Sequence, residues 1–401
     1  MAFRSLPIWG KLLVGGGSVS AVGAFGYYVL VPSHVEMYKC IMQVAETDKE
    51  TQRRIMATWD TLNESDFESP LKSHVSKDIV EKLKVRKTKY GASLLDVIQP
   101  GTEKVTGRCG AHAPDIQSYT IFKELFDPLI EGYHEGFGPK SKQPPPDFGA
   151  DKLDQLKPLD SEGKYIISTR VRCGRNVKGY PFSPMLTPDD YFVLERKIRE
   201  ALQSVRDPDL QGKYYSLKAL HPDDQKQLVK ERIMYNQCSS FLQAANSCHY
   251  WPKGRGVFHN DSKTVAVWVN EEDHLRVISM QRGGDIAKTL NRLIRTVKAI
   301  ECKISFWRDE RLGYLSLCPS NLGTSMHASV YIKLPKLSAR QDFKEICKNL
   351  NLKVRSVDGE STDVVDVSNK HRLGCTEFEA VKEMYDGVKK LIEMEKEAEK
   401  K

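Results

Sequence analysis

Three consecutive prolines, Pro144-Pro145-Pro146, sit inside the run Lys140–Gly149 and divide this chain. A proline triplet forbids helix and favours an extended connector, so a domain boundary is expected there. The residue pattern changes at the same place. Between Met37 and Phe137 the apolar residues recur mostly at helical spacing. Ile79, Val80 and Leu83 share one face of Ser76–Arg86, and Phe122, Leu125, Phe126, Leu129 and Ile130 do so within Tyr119–Phe137. These are expected core residues of a small helical domain. Beyond the prolines, Tyr165–Arg172, Thr264–Asn270, Arg276–Met280, Gly313–Cys318 and Ala328–Leu334 are rich in β-branched and aromatic residues and predict strands. Asp285–Ile300 and Glu377–Glu395 predict amphipathic helices. The short loop between Thr264–Asn270 and Arg276–Met280 favours antiparallel pairing. The chain therefore predicts an α+β fold, a small all-helical N-terminal domain followed by a large antiparallel sheet flanked by helices.

A length of 401 residues leaves room for two domains. Hydrophobic content of 40% with 28% charged residues describes a folded body rather than a disordered one. The net charge of +8 suits an anionic partner such as a nucleotide. There is no zinc-finger spacing and no basic helix with interleaved aromatics, so nucleic-acid binding is not expected. Nine scattered cysteines without a CxxC pair argue for thiols that stay free in a reducing compartment.

The amino terminus reads separately. Leu12–Val31 contains no charged residue and is closed by Pro32. It just reaches the roughly 20 apolar residues that span a bilayer, although Gly15, Gly16, Gly17, Gly23 and Gly26 soften it. Arg4 and Lys11 precede the run, while Glu36, Glu46 and Asp48 follow it, which favours an amino terminus on the cytosolic or matrix side. Residues 1–34 are expected to be a membrane anchor or organelle-targeting segment; a cleaved secretory signal and a flexible apolar tail are the competing readings. The remaining divisions expected are 47–137 for the helical domain, 138–150 for the linker and 151–396 for the α+β domain.

Three segments carry residue types that point to chemistry. Ser168-Thr169-Arg170-Val171-Arg172 puts two arginines on one face of a strand. Such charges repel unless an anion lies between them, and guanidinium forks suit phosphate oxygens; a solvated edge strand is the plain alternative. Asn270-Glu271-Glu272-Asp273-His274-Leu275-Arg276 crowds three carboxylates beside a base, or is a polar turn. In Leu317-Cys318-Pro319-Ser320-Asn321-Leu322-Gly323-Thr324 a thiol ends a strand beside hydroxyls and backbone amides, a setting that lowers thiol pKa, although a buried inert cysteine is the default.

Taken together and in this order, these segments resemble the phosphagen kinase family of arginine and creatine kinases. Ile167–Gly174, Tyr250–Asp261, Val267–Gly284 and Cys318–Pro335 carry the resemblance most densely, supported by Ser368-Asn369-Lys370 and Ala92–Ile98. It implies a helical domain before an eight-stranded antiparallel sheet of the phosphagen kinase/glutamine synthetase-like type. It also implies in-line phosphoryl transfer from ATP to a guanidino nitrogen, catalysed largely by positioning and charge stabilisation. By the resemblance, Glu272, Glu360 and Cys318 act on the guanidino group, and the phosphates meet Arg170, Arg172, Arg276 and Arg355. Ser168, Thr169, Val171, Arg232, His327, Ala328, Ser329, Val330 and Tyr331 complete the nucleotide site. Mg²⁺ is expected to be held through ATP or ADP and water, with no metal-ligand cluster on the protein.

Departures from the family pattern accompany the matches. His327 stands where the family has an arginine, Asp358 likewise, Ser361 where arginine kinases have a histidine, Arg232 for a histidine near adenine, and His249 for an arginine. The guanidino-specificity loop reads Gly107-Arg108-Cys109-Gly110-Ala111-His112, with histidine in place of tyrosine, which resembles taurocyamine kinases. The expected reaction is reversible phosphorylation of L-arginine. The alternatives are taurocyamine or another acidic guanidino compound, or a weakened paralogue that acts by binding. A mitochondrial intermembrane-space or membrane-associated location is expected, with the cytoplasm as alternative, and an oligomer is compatible with the family.

Overall fold

The computed structural model describes residues 45–104, 109–235, 237–357 and 361–400. The segment 12–31, Gly107, Arg108, Asp358 and Glu360 lie outside the described residues. Among the described residues, no helix is long and apolar enough to cross a membrane.

The first part is helical because its apolar residues recur at helical spacing, and several of its helices start at a capping residue. Asp48 accepts the Thr51 N–H at 2.8 Å and starts α1, Lys49–Glu64, which buries Ile55, Trp59 and Leu62. Ser76 caps Lys77–Leu83. Ser93 and Asp96 form a capping box at the start of α2, Leu94–Glu103. The stretch predicted as one helix from Tyr119 is broken at Phe122, which is non-helical (φ −110°, ψ 32°) and fully buried; α3 then runs Lys123–Tyr133.

Past the prolines the chain forms one eight-stranded sheet from β1 (Ile166–Arg175), β2 (Gly212–Ser216), β3 (Gly256–Asn260), β4 (Val265–Val269), β5 (Leu275–Arg282), β6 (His327–Lys333), β7 (Leu352–Ser356) and β8 (Val364–Asn369). The spatial order is β7-β8-β6-β1-β5-β4-β3-β2, and every neighbouring pair is antiparallel. Helices α4 (Pro188–Gln203), α5 (Ile286–Glu301) and α6 (Glu377–Glu399) supply Leu194, Ile198, Leu293, Val297, Val381 and Val388 to the main core. Val171, Cys173, Val267, Val277, Ala328 and Val330 join that core from the sheet. Because strand side chains alternate, Arg170 and Arg172 are turned to the opposite side of β1. A second core holds α1–α3 residues together with Leu312, Leu315, Leu317 and Leu322.

Two expectations are corrected here. Gly313–Cys318 is not a strand: only Gly313–Tyr314 pairs, with Arg308–Asp309. The amide of Leu317 is taken by the Asp273 carboxylate and its carbonyl by Ala113, leaving neither for a neighbouring strand. The expectation of free thiols fails at Cys238 and Cys248, which form a disulfide with their Cα atoms 6.2 Å apart. The intervening chain folds back on itself, Gln243 Nε2 donating to the Cys238 carbonyl and the Ser247 amide to the Leu242 carbonyl. Cys109, Cys173, Cys302, Cys318, Cys347 and Cys375 are thiols.

Candidate active site

The tight connection between β4 and β5 sets the first wall of the site. Asn270 adopts φ 55° there, its amide donates to the His274 carbonyl at 2.8 Å, and its side chain donates to the carbonyls of Tyr191 and Gly254. The turn is fastened from below by two buried groups. Asp273 accepts from Asn176 Nδ2 at 2.7 Å, Ser316 Oγ at 2.9 Å and the Leu317 amide at 3.1 Å. His274 accepts the Val177 amide on Nδ1, so its Nε2–H donates to the Pro181 carbonyl; burial holds this imidazole down at about 4, hence neutral. Burial, together with the neighbouring Glu272 charge, pushes Asp273 up to about 6. Gly174 makes room for the arrangement, since a Cβ there would lie 2.7 Å from Asp273 Oδ2.

Above these anchors, Glu271 and Glu272 face a cavity of about 360 Å³. Arg276, four residues on along β5, pairs with Glu271 at 3.0 Å and with Glu272 Oε2 at 2.5 Å. Glu272 Oε1 accepts from Asn321 Nδ2 at 3.1 Å, and Asn321 in turn accepts from Arg372 at 2.7 Å. Both oxygens of Glu272 are thus oriented by named donors.

The opposite wall is the turn Cys318–Asn321 together with the segment Cys109–Ala113. The Ala113 amide donates to the Leu317 carbonyl at 2.8 Å, and Tyr119 Oη donates to the Ser316 carbonyl at 2.7 Å. These bonds set Cys109 and His112 against the Cys318 thiol, which also meets Ser320 Oγ at 3.2 Å. A hydrogen bond from the Cys109 thiol, reinforced by the His112 ring and its charge, draws the Cys318 pKa well below the ordinary thiol value despite burial. Burial opposes the charging of His112, but Cys318, Glu272 and Asp273 outweigh it and raise its pKa. His112 Nδ1 is buried without a hydrogen-bond partner among the described residues.

The arginine face adjoins this cavity. Arg172, Arg276 and His327 line it; His327 lies directly across from Arg172 in the β6–β1 register. Burial, then the charges of Arg276, Arg170 and Arg372, depress the Arg172 pKa strongly, so an anion placed among these groups would relieve their repulsion and favour the charged guanidinium. Arg170 carries the face onward, with its Nε and Nη2 buried and lacking hydrogen-bond partners among the described residues. The guanidinium groups of Arg170 and Arg276 both lie near the Trp268 ring, 5.7 Å from its centre for Arg170 and 5.3 Å for Arg276. Two further cavities, of about 380 and 340 Å³, share Arg170, Arg232 and Tyr331 as walls. Ser168, Thr169 and Ser329 line the first, Arg355 and Asp366 the second. Arg232 stacks over Tyr331 at 4.5 Å.

Most of the sequence-predicted residues that are described meet along this run of cavities. The side chains of Val171, Ala328 and Val330 point into the helix-covered core, so it is their backbone that can face a nucleotide. Sequence reasoning missed Glu271, Asp273, Asn321 and Arg372 as parts of the site. Of these, Asn321 stood inside a segment already singled out, and the carboxylate triplet was visible without its division of labour.

A fork of carboxylates beside a depressed-pKa thiol, opening onto a buried row of arginines, suits a guanidinium on one side and a polyphosphate on the other. Comparison with known proteins agrees. The ATP:guanido phosphotransferase C-terminal catalytic domain matches residues 193–398 and the N-terminal domain matches residues 65–131. A probable arginine kinase of Caenorhabditis elegans is 53% identical over 334 residues, covering 82% of this chain and 84% of that protein. The arginine kinase of Penaeus japonicus is 50% identical over 338 residues, covering 83% and 94%. Among solved structures, a lombricine kinase superposes with TM-score 0.76 at 38% identity, covering 82% of this chain and 92% of that one. The substrate-free duplicated taurocyamine kinase of Schistosoma mansoni gives TM-score 0.81 at 35% identity; 87% of this chain is covered but only 49% of that duplicated one. The chain belongs to the ATP:guanido phosphotransferase family, the phosphagen kinases. Within it, the chain is an arginine kinase-like ATP:guanidino phosphotransferase.

Proposed function

We propose that this phosphagen kinase moves the γ-phosphoryl group of ATP reversibly to the guanidino group of L-arginine. The observation that carries the reading is the cavity in which Glu272, oriented by Arg276 and Asn321, faces Cys318 and His112. Glu272 holds the guanidinium and accepts its proton as the new P–N bond forms. The Cys318 thiolate steadies the positive charge from the other wall, and the His112 cation beside it helps to keep that thiolate ionised. Arg170, Arg172, Arg276 and Arg355 hold the phosphates in line. Mg²⁺ would arrive on the nucleotide and neutralise charge across its phosphates; the Arg170 nitrogens that lack partners among the described residues fit the accompanying phosphate oxygens.

His112 favours one second reading, an acidic guanidino compound such as taurocyamine, because a buried imidazole whose Nδ1 has no partner among the described residues suits a sulfonate. The test is initial-rate ADP release with Mg-ATP and separate additions of L-arginine, taurocyamine, lombricine, glycocyamine and creatine. Highest kcat/KM on L-arginine supports the first reading; highest on taurocyamine replaces it with the second. A membrane- or mitochondrion-associated location is also proposed, on the uncharged run Leu12–Val31 alone. A fluorescent fusion of residues 1–40 that stays diffuse in the cytosol would remove it.

A further inference from the structure

Besides Cys318, the thiols of Cys109 and Cys173 border the guanidino cavity, and Cys109 reaches it from the opposite segment of the chain. Cys109 and Cys318 are both reduced, 2% and 6% exposed, and both line the same cavity of about 360 Å³. The Cys109 thiol lies within hydrogen-bonding reach of Cys318. Neither segment is free to swing away. Gly110 has φ +70°, and a Cβ there would meet Leu71 Cβ at 2.6 Å; a Cβ on Gly101 of α2 would sit 1.8 Å from the Gly110 carbonyl oxygen. On the other side, the Pro319 carbonyl meets His134 Nε2 at 2.9 Å, and the Ser320 carbonyl accepts from Arg372. In phosphoryl transfer as derived above Cys109 serves only as a hydrogen-bond donor to the Cys318 thiolate and touches no reacting group.

We propose that Cys109 is a resolving thiol for Cys318, so that oxidation of Cys318 by hydrogen peroxide ends in a Cys109–Cys318 disulfide that ties the segment 109–113 to the catalytic turn. In the first step the Cys318 thiolate attacks the terminal peroxide oxygen and the O–O bond breaks. The leaving hydroxide takes a proton from His112 and departs as water, and Cys318 is left as sulfenic acid, oxidised by two electrons. In the second step the Cys109 sulfur attacks the sulfenic sulfur and the S–O bond breaks. The departing hydroxide combines with the Cys109 proton as a second water, and the S–S bond forms. A dithiol reductant reverses the oxidation by exchange, becoming a disulfide itself. The groups around Cys318 suit this chemistry: Cys109, His112 and Ser320 stabilise the thiolate, and the carboxylates Glu272 and Asp273 keep His112 charged. Cys173 borders the same cavity, but burial pushes its thiol up to about 11, which leaves it a poor nucleophile. Oxidation would remove the thiolate and block the guanidino cavity, silencing the enzyme while sparing Cys318 from irreversible sulfinic acid.

The test treats the full chain with hydrogen peroxide, blocks remaining thiols with N-ethylmaleimide, and maps cross-linked peptides by mass spectrometry. The expected result is a Cys109–Cys318 peptide pair, with loss of most turnover and its return on adding dithiothreitol. Cys109→Ala, compared with its own untreated state, should instead accumulate Cys318 sulfinic acid and stay inactive after dithiothreitol. Cys302→Ser, at an exposed thiol outside the site, should form the pair as the parent does. No pair in the parent, a Cys173–Cys318 pair instead, or full dithiothreitol recovery in Cys109→Ala would overturn the proposal. The peptide readout does not depend on which guanidino compound is phosphorylated, so it fails or succeeds separately from the substrate reading.

Discussion

Replacing Glu272 by glutamine keeps the shape of the side chain and removes one negative charge. Around it, Arg276 retains Glu271 at 3.0 Å, and Asn321 Nδ2 retains an acceptor in the new amide oxygen. The loss of fold stability is therefore that of one charge-assisted hydrogen bond, about 1.5–3 kcal/mol. It should fall short of the roughly 3–5 kcal/mol that follows when a buried ion is left alone. The loss of rate is larger. A positioned group that accepts a proton in the transition state contributes about 10²–10⁴-fold, equivalent to roughly 2.7–5.5 kcal/mol of barrier. Steady-state ADP release with saturating Mg-ATP and L-arginine should show that drop in kcat, and thermal unfolding should show a folded protein at the assay temperature. A kcat within about threefold of the parent, in a protein shown to be folded, would refute the assignment of Glu272 as base.

The remaining predictions address other parts of the site. His327→Arg adds a guanidinium beside Arg172; without nucleotide it should lower Tm, and it should raise kcat/KM for Mg-ATP by up to the ~10²–10³ of one well-placed donor. An unchanged kcat/KM would mean that His327 is not at the phosphates. Gly174→Ala forces a methyl to 2.7 Å from Asp273 Oδ2 and should destabilise by about 1–3 kcal/mol in denaturant titration; a neutral effect would show that the Asp273 anchor yields. The pH dependence follows from two opposite shifts. The lowered Cys318 pKa keeps a thiolate as pH falls below 9.0, and the raised His112 pKa keeps a cation as pH rises above 6.5. The pair's stabilisation is thus lost on the acid side as Cys318 protonates and on the basic side as His112 deprotonates. His112→Asn should move the midpoint of Cys318 alkylation by iodoacetamide up towards 9.0, and an unmoved midpoint would remove His112 as the thiolate's partner.

What could be read from the sequence follows from how each signal is generated. β1, β4, β5 and β6 announce themselves because they combine β-branched residues with nearby turns. β2 and β7 carry Gly-Lys-Tyr-Tyr-Ser and Leu-Lys-Val-Arg-Ser, edge strands with partly exposed residues that lack a clean apolar alternation. β3 is buried throughout and so shows no alternation either; it drew notice only through the Tyr250–Asp261 resemblance. In the site, Arg170 and Arg172 were legible because period two is a local rule. The fastening of Asp273 by Asn176, Ser316 and Leu317 was not, since these partners lie far away along the chain and only folding joins them. The same holds for Cys109 and Cys318. The disulfide of Cys238 and Cys248 escaped because cysteine counting weighs compartments and cannot see a ten-residue fold-back.

The most direct test of the central claim is phosphorus NMR of the full chain incubated with Mg-ATP and L-arginine. The account predicts a phosphoramidate resonance that grows as the γ-phosphate of ATP diminishes, and that returns to ATP when excess ADP is added. Persistence of ATP unchanged, with nucleotide binding intact and no phosphoramidate on any guanidino compound offered, would contradict it.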